Sequence, residues 1–175
     1  MAIVVSAIPL MAIAMLVRFS SSGPVLYWSN RVGRDNTIFR MPKFRTMRED
    51  TPAVATHLLT NPGAYLTSVG DFLRRSSLDE LPQFWSILVG EMSFVGPRPA
   101  LFNQADLIAL RTAAGVHALT PGLTGWAQVN GRDELPIPEK VRLESEYLLR
   151  RSLLVDVKIL FMTARRVLRA EGVAH

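Results

Sequence analysis

The sequence predicts an α+β chain, mostly helical, with an N-terminal re-entrant membrane helix, amphipathic surface helices and a small β-hairpin element. Three observations carry that expectation. No charged residue occurs from Met1 to Val17, two long amphipathic patterns lie towards the C-terminus, and an alternating run, Leu123 to Val129, sits between Pro121-Gly122 and Asn130-Gly131. A chain of 175 residues is long enough for one domain with a real core and short for two. Apolar residues make up 49% of it and mean hydropathy is positive, so part of the apolar surface is expected to meet lipid. Lys and Arg number 20 against 15 Asp and Glu, an excess that suits anionic headgroups, nucleic acid or phosphorylated small molecules without selecting among them. Cysteine is absent, which excludes disulfides and thiolate metal sites and fits a reducing cytoplasm.

The first element is the charge-free run that ends at Arg18. Seventeen residues of straight helix rise roughly 25 Å, a little short of the ~20 residues needed to cross a hydrocarbon core. Pro9 then breaks the run near its middle. A signal peptide would need a basic segment before the run and a small-residue cleavage site after it, and both are missing. A buried core helix and an ordinary spanning helix stand as alternatives. The preferred reading is a bent helix that enters one leaflet and returns at Pro9, with Ser6 available to satisfy a freed carbonyl.

Ser20 to Pro24 reads as a turn and Val25 to Trp28 as a short strand entering a basic stretch. There Arg31, Arg34, Arg40, Lys43, Arg45 and Arg48 face one acid, Asp35. A solvated basic face and a substrate-phosphate role are both open. Thr51 to Ser68 has no periodic apolar pattern and is expected to be a surface excursion. Val69 to Trp85 reads as a helix start whose cap lies near Ser77 to Asp79, because Pro82 is tolerated only in a first turn. The Gly-Pro-Arg-Pro turn at 96–99 is expected to hold Arg98 outward. Residues 101 to 114 are helical in pattern, Thr120 to Arg132 hairpin-like, and helices are expected over about 138–151 and 153–170. An apolar stripe with basic flanks in the last of these suits an anionic membrane surface, though a bundle helix has the same pattern.

Ser76-Ser77-Leu78-Asp79-Glu80-Leu81-Pro82-Gln83 is the most informative stretch. Adjacent acids on a helix point about 100° apart, so Asp79 and Glu80 are expected to hold different roles. Capping accounts for them too: Ser77 with Glu80 has capping-box spacing, and Asp79 itself suits an N-cap. The same placement has a chemical consequence. A positive helix end beside Arg74 and Arg75 keeps Asp79 ionised, ready to attack phosphorus or bind Mg²⁺. A diphosphate substrate asks for several guanidinium contacts, and Arg74, Arg98 and Arg132 each sit in or beside a turn or helix start, where structural salt bridges are the alternative. No glycine-rich phosphate loop is present, which argues against ordinary kinases and dehydrogenases, and no His/Cys cluster suggests zinc hydrolysis.

Six segments then carry a resemblance. Gly23-Pro24-Val25, Arg31-Val32-Gly33-Arg34, Lys43-Phe44-Arg45-Thr46-Met47, Ser77 to Gln83, Gly90 to Pro99 and Pro121 to Arg132 resemble, in order, the signature blocks of the bacterial sugar transferases, the monotopic phosphoglycosyl transferases. The resemblance covers about residues 6 to 173. It implies a re-entrant membrane helix over 1–22 and a cytoplasmic catalytic domain with amphipathic helices over 23–175, at the cytoplasmic face of a bacterial inner membrane. It implies that Asp79 attacks the sugar-linked phosphate of a UDP-sugar, expels UMP, and holds the sugar phosphate until undecaprenyl phosphate takes it, with Glu80 assisting. Mg²⁺ would be bound at Asp79, and Lys43, Arg74, Arg98 and Arg132 match the family's phosphate contacts. Asp156 matches an acid in its penultimate helix. Ile8 departs from the Ser that commonly precedes the family's proline, and only eight residues stand before Pro9 where the family has a longer apolar helix. The pathway implied is the first membrane step of surface glycan assembly, for O-antigen, capsule, exopolysaccharide or glycoprotein glycan.

The rival from another class is a non-catalytic basic membrane-binding or scaffolding module, against which the intact Asp79-Glu80 pair counts. A nucleic-acid partner is not expected, because the basic residues come without an aromatic stacking pattern. Membrane lipids are expected partners, and a homodimer stays open.

Overall fold

The structure, a computed structural model, describes residues 2–52, 60–131 and 135–169. Among these, six α-helices outweigh five short strands, in line with the expected mixed, helix-rich class. The strands are β1 Leu26–Val32, β2 Ile38–Phe44, β3 Ser93–Val95, β4 Ala100–Leu101 and β5 Gly122–Thr124. The helices are α1 Ala2–Ser20, α2 Gly70–Arg75, α3 Gln83–Leu88, α4 Ala105–Ala113, α5 Ile137–Arg150 and α6 Leu153–Arg169. The chain divides into two compact units. Among the described residues, the first takes those up to Trp28 and from Pro42 to Pro82, and the second takes Ser29–Met41 and those from Gln83 to Arg169.

In the first unit α1 continues through Pro9 as one helical element and ends where Ser20 Oγ folds back on the Val17 carbonyl at 2.9 Å. Leu10, Ile13, Ala14 and Val17, spaced i, i+3, i+4 and i+7, pack with Phe44 and Leu73 into the unit's core. The opposite face leaves Met11, Met15, Leu16 and Phe19 exposed. Among the described residues no helix is long and apolar enough to cross a membrane. The expected partnership of the Ser6 side chain lies outside the described side chains.

The chain leaves α1 through Ser21-Ser22-Gly23, and Arg45 pins that exit. Its buried guanidinium donates to the Ser22 carbonyl and, at 2.9 Å, to both the carbonyl and the hydroxyl of Ser21. Further on, the backbone of Thr46 to Arg48 pairs with Tyr65 to Thr67. Gly70, at the start of α2, lies so close to that pairing that a Cβ there would stand 2.1 Å from the Thr46 carbonyl oxygen. That contact is with backbone, which yields little, so Gly70→Ala should cost about 1–3 kcal/mol and lower the thermal midpoint in a melting experiment.

β1 and β2 join across Gly33–Thr37, where Gly33 N–H donates to the Thr37 carbonyl at 2.7 Å and Asp35 and Asn36 take left-handed conformations. Asp and Asn tolerate that region because their short polar side chains bond locally. So short a connection makes the pair an antiparallel hairpin. The sheet order is β2-β1-β4, with Arg31 opposite Leu101 and Val32 opposite Ala100 in an antiparallel pair. Among the described residues the hairpin expected over Thr120–Arg132 is not formed. β5 pairs in parallel with β3, Ser93 opposite Gly122 and Val95 opposite Thr124. After it the alternating run coils instead, because local bonds take over: Val129 N–H donates to the Gly125 carbonyl at 3.0 Å, Asn130 N–H to the Ala127 carbonyl at 3.1 Å, and the Asn130 side-chain amide to the Trp126 carbonyl at 2.7 Å. Inter-strand partners are replaced by bonds three and four residues apart.

Among its described residues the second unit is held by three apolar clusters and one buried ion pair. Val95, Val116, Leu119, Val129, Tyr147 and Ile159 form one cluster, Val32, Ala100, Leu107 and Val141 a second, and Phe39, Met41 and Met92 a third. Arg111 of α4 and Glu144 of α5, 8% and 2% exposed, meet in a two-pronged contact with Nε to Oε2 at 2.8 Å. α6 buries Ile159 and leaves Leu153, Leu154, Val157, Leu160 and Phe161 exposed along its outer face.

Candidate active site

The acidic pair sits on a left-handed corner rather than on a helix cap. α2 ends at Arg75, Ser77 turns at φ 56, and Leu78–Glu80 form a single 3-10 turn. The expected capping box is absent: Ser77 makes no side-chain cap, and the bond that closes the turn is Glu80 N–H to the Ser77 carbonyl at 3.2 Å. Pro82 is the physical reason that the helix frame differs from the expected one. It has no N–H to give the Leu78 carbonyl, so helical bonding stops and α3 begins afresh at Gln83. The corner buries Asp79 to 7% exposure while Leu78 and Leu81 pack on the α1 core.

Two cations meet the pair. Lys43, next to last on β2, places Nζ 3.0 Å from Glu80 Oε1, with both side chains largely buried. Arg74, in the last turn of α2, donates from Nε to Thr46 Oγ1 at 3.0 Å. Burial pulls the Arg74 guanidinium below its ordinary pKa, and the neighbouring Asp79 carboxylate pulls it back up. A half-buried guanidinium is thus matched to a buried carboxylate, and the two terminal amino groups of Arg74 make no hydrogen bond among the described residues. Arg75, expected to act on Asp79, is held instead by Asp71 one turn earlier on the exposed side of α2.

Lys43, Arg74, Asp79 and Glu80 therefore come together within the first unit. Arg98 belongs to the second unit, in the loop between β3 and β4, where it is half-buried rather than turned fully outward. Asp156, in the first turn of α6, accepts the Tyr147 hydroxyl at 2.7 Å, and burial together with that carboxylate pushes the Tyr147 pKa up. Arg132 lies outside the described residues. Elsewhere in the basic stretch Arg45 holds the α1 exit, Arg31 donates to Ser29 and to the Pro99 carbonyl, and Arg34 and Arg48 pair with Asp35 and Asp50 on the surface.

Residues that the sequence did not single out matter here as well. Thr46 lies inside a quoted block, yet nothing in its spacing connects it to Arg74 twenty-eight residues on. Gly70 is marked only by its contact with the Thr46 carbonyl, and Tyr147 only by the α5–α6 turn that returns Asp156 to it.

Asp79 offers a hard oxygen ligand, and among the described residues no three His, Cys, Asp or Glu side chains gather into a cage. That donor set fits Mg²⁺, which is commonly held by one or two carboxylates together with substrate phosphates.

Comparison with known proteins concerns the chain as a whole. The bacterial sugar transferase family matches the chain over residues 1–170. The UDP-glucose:undecaprenyl-phosphate glucose-1-phosphate transferase of Xanthomonas campestris pv. campestris is 43% identical over 169 residues, covering 91% of this chain and 35% of that protein. The Escherichia coli (strain K12) protein of the same name is 41% identical over 162 residues, covering 88% and 35%. The uncharacterized sugar transferase EpsL of Bacillus subtilis (strain 168) is 38% identical over 168 residues, covering 96% of this chain and 81% of EpsL. The chain thus spans about a third of the first two relatives and most of the third.

Proposed function

The chain belongs to the bacterial sugar transferase family, and from that premise we propose that it transfers a sugar 1-phosphate from a UDP-sugar to undecaprenyl phosphate, releasing UMP. The observation that carries the proposal is the buried Asp79 carboxylate beside Arg74, with Lys43 and Glu80 paired next to it. A carboxylate nucleophile needs its charge kept and its rotamer fixed; the neighbouring Arg74 guanidinium favours the charged form and burial restricts the rotamer.

In this reading an Asp79 oxygen attacks the sugar-linked phosphorus, the bond to the UMP oxygen breaks, and the sugar phosphate stays on Asp79 as an acyl phosphate. Undecaprenyl phosphate then attacks the same phosphorus and frees Asp79. The end of the Arg74 guanidinium, with its two amino groups, suits two phosphate oxygens at once. Lys43 orients Glu80 beside the nucleophile through their 3.0 Å contact. Arg98 and Arg132 are proposed as further diphosphate contacts and Asp156 as a supporting acid by family likeness. Mg²⁺, when bound at Asp79, supplies neutralisation of the diphosphate charge.

The site of action is proposed to be the cytoplasmic face of the bacterial inner membrane. The exposed apolar faces of α1 and α6 support lipid contact, that of α6 being accompanied by exposed Arg151, Lys158 and Arg165. The re-entrant course of α1 belongs to the same proposal.

The test is a panel of UDP-sugars offered with undecaprenyl phosphate to membrane-embedded protein, scored by UMP release. Turnover of one or more is expected, whereas lipid binding without turnover of any would leave the scaffolding reading. Within that assay Arg74→Lys keeps the charge and loses the planar pair of donors. Turnover should fall roughly tenfold or more while the melting midpoint moves little. Equal losses in both would return Arg74 to a structural role.

A further inference from the structure

We infer that Thr46 is a positioning residue for Arg74, an inference that rests on the reading of Arg74 as a diphosphate contact. A guanidinium has two edges able to grip a pair of oxygens, one through Nε and its neighbouring amino group and one through the two terminal amino groups. Thr46 Oγ1 takes the Nε proton at 3.0 Å, which closes the first edge. The second is left for a ligand. The same bond fixes the plane of a side chain whose four torsions would otherwise spread over many rotamers.

Thr46 is itself held tightly enough to act as a reference point. It is buried, its carbonyl accepts the Thr67 N–H at 2.9 Å, and Gly70 abuts that carbonyl at a distance no other residue permits. Gly70 opens α2 and Arg74 follows one turn later on the same helix, so the helix start and the guanidinium are both registered on one residue. Burial pulls the Arg74 pKa down, so the environment opposes the charge that the site needs; a hydroxyl acceptor on Nε, with the Asp79 carboxylate, offsets that cost.

Thr46→Val keeps the branched shape and the backbone pairing and removes the acceptor. Measured as UMP release by the full chain in membranes, kcat/KM should fall about tenfold or more, with a small change in melting midpoint, and Thr46→Ser should recover it to within about threefold. The loss should vanish in the Arg74→Lys background, because lysine has no Nε–H for Thr46 to hold. Should valine prevent folding, Thr46→Ala is read in the same cycle. Parent-like kcat/KM for Thr46→Val alongside an impaired Arg74→Lys would overturn the positioning role and leave the transferase reading standing. Equal losses from Thr46→Val in both backgrounds would overturn it as well, since the residue would then act on the fold. An unimpaired Arg74→Lys would remove Arg74 from the diphosphate and take the inference with it.

Discussion

Asp79→Asn is expected to yield a folded protein with turnover reduced by at least about a thousandfold, since it removes the attacking oxygen's charge and changes little else. Asn nearly preserves the volume of the side chain, which is 7% exposed. What the fold does lose is the carboxylate that offsets the burial of Arg74, and a modest fall in melting midpoint follows from that. Glu80→Gln should behave differently. It weakens the 3.0 Å contact with Lys43 and lowers activity while leaving the nucleophile in place. Initial rates of UMP release, read beside thermal melts of the same preparations, separate these effects.

The largest loss of stability should come from the ion pair in the second unit. Glu144→Ala strands the Arg111 guanidinium, 8% exposed, without its two-pronged partner. Removing one member of a buried pair costs about 3–5 kcal/mol, because the other charge stays desolvated. For a chain of this size that corresponds to a fall in melting midpoint of roughly 10 °C. Replacing both members together by apolar residues, Arg111→Met with Glu144→Leu, should recover much of it. A Glu144→Ala midpoint within a degree or two of the parent would show that the pair is open to water.

The sequence and the structure agree where the signal is local. α4, α5 and α6 lie close to the spans that their apolar periodicity predicts, and the Val25–Trp28 strand signal marks the start of β1. Non-local pairing was not legible. The alternation from Leu123 to Val129 is a good strand pattern, but whether it folds on itself depends on the competitor, and β3 supplies a parallel neighbour to its first residues while local helical bonds take the rest. Pro82 constrains the helix frame in the sequence, yet its effect in the structure is to separate two short elements, which leaves Asp79 on a 3-10 corner.

The site shows the same division. The family resemblance names Lys43, Arg74, Asp79, Glu80, Arg98 and Arg132 together, and of these the structure gathers Lys43, Arg74, Asp79 and Glu80 within the first unit. What holds them could not be read. Thr46 and Gly70 act through one backbone carbonyl and one hydroxyl, contacts that leave no periodic trace, and the basic stretch from Arg31 to Arg48 gives no sign that Arg45 is buried under the α1 exit while Lys43 reaches Glu80.

The central claim is a covalent transfer through Asp79, and intact-protein mass spectrometry tests it most directly. The full chain is mixed with a UDP-sugar that supports turnover and Mg²⁺, without undecaprenyl phosphate, then quenched and weighed. The expected result is an added mass of one sugar phosphate that maps by peptide fragmentation to Asp79, that is absent from Asp79→Asn, and that disappears when undecaprenyl phosphate is added. Transfer at the parent rate with no adduct at any quench time, together with kinetics that require both substrates bound at once, would contradict the account and assign the attack on phosphorus to the lipid phosphate itself.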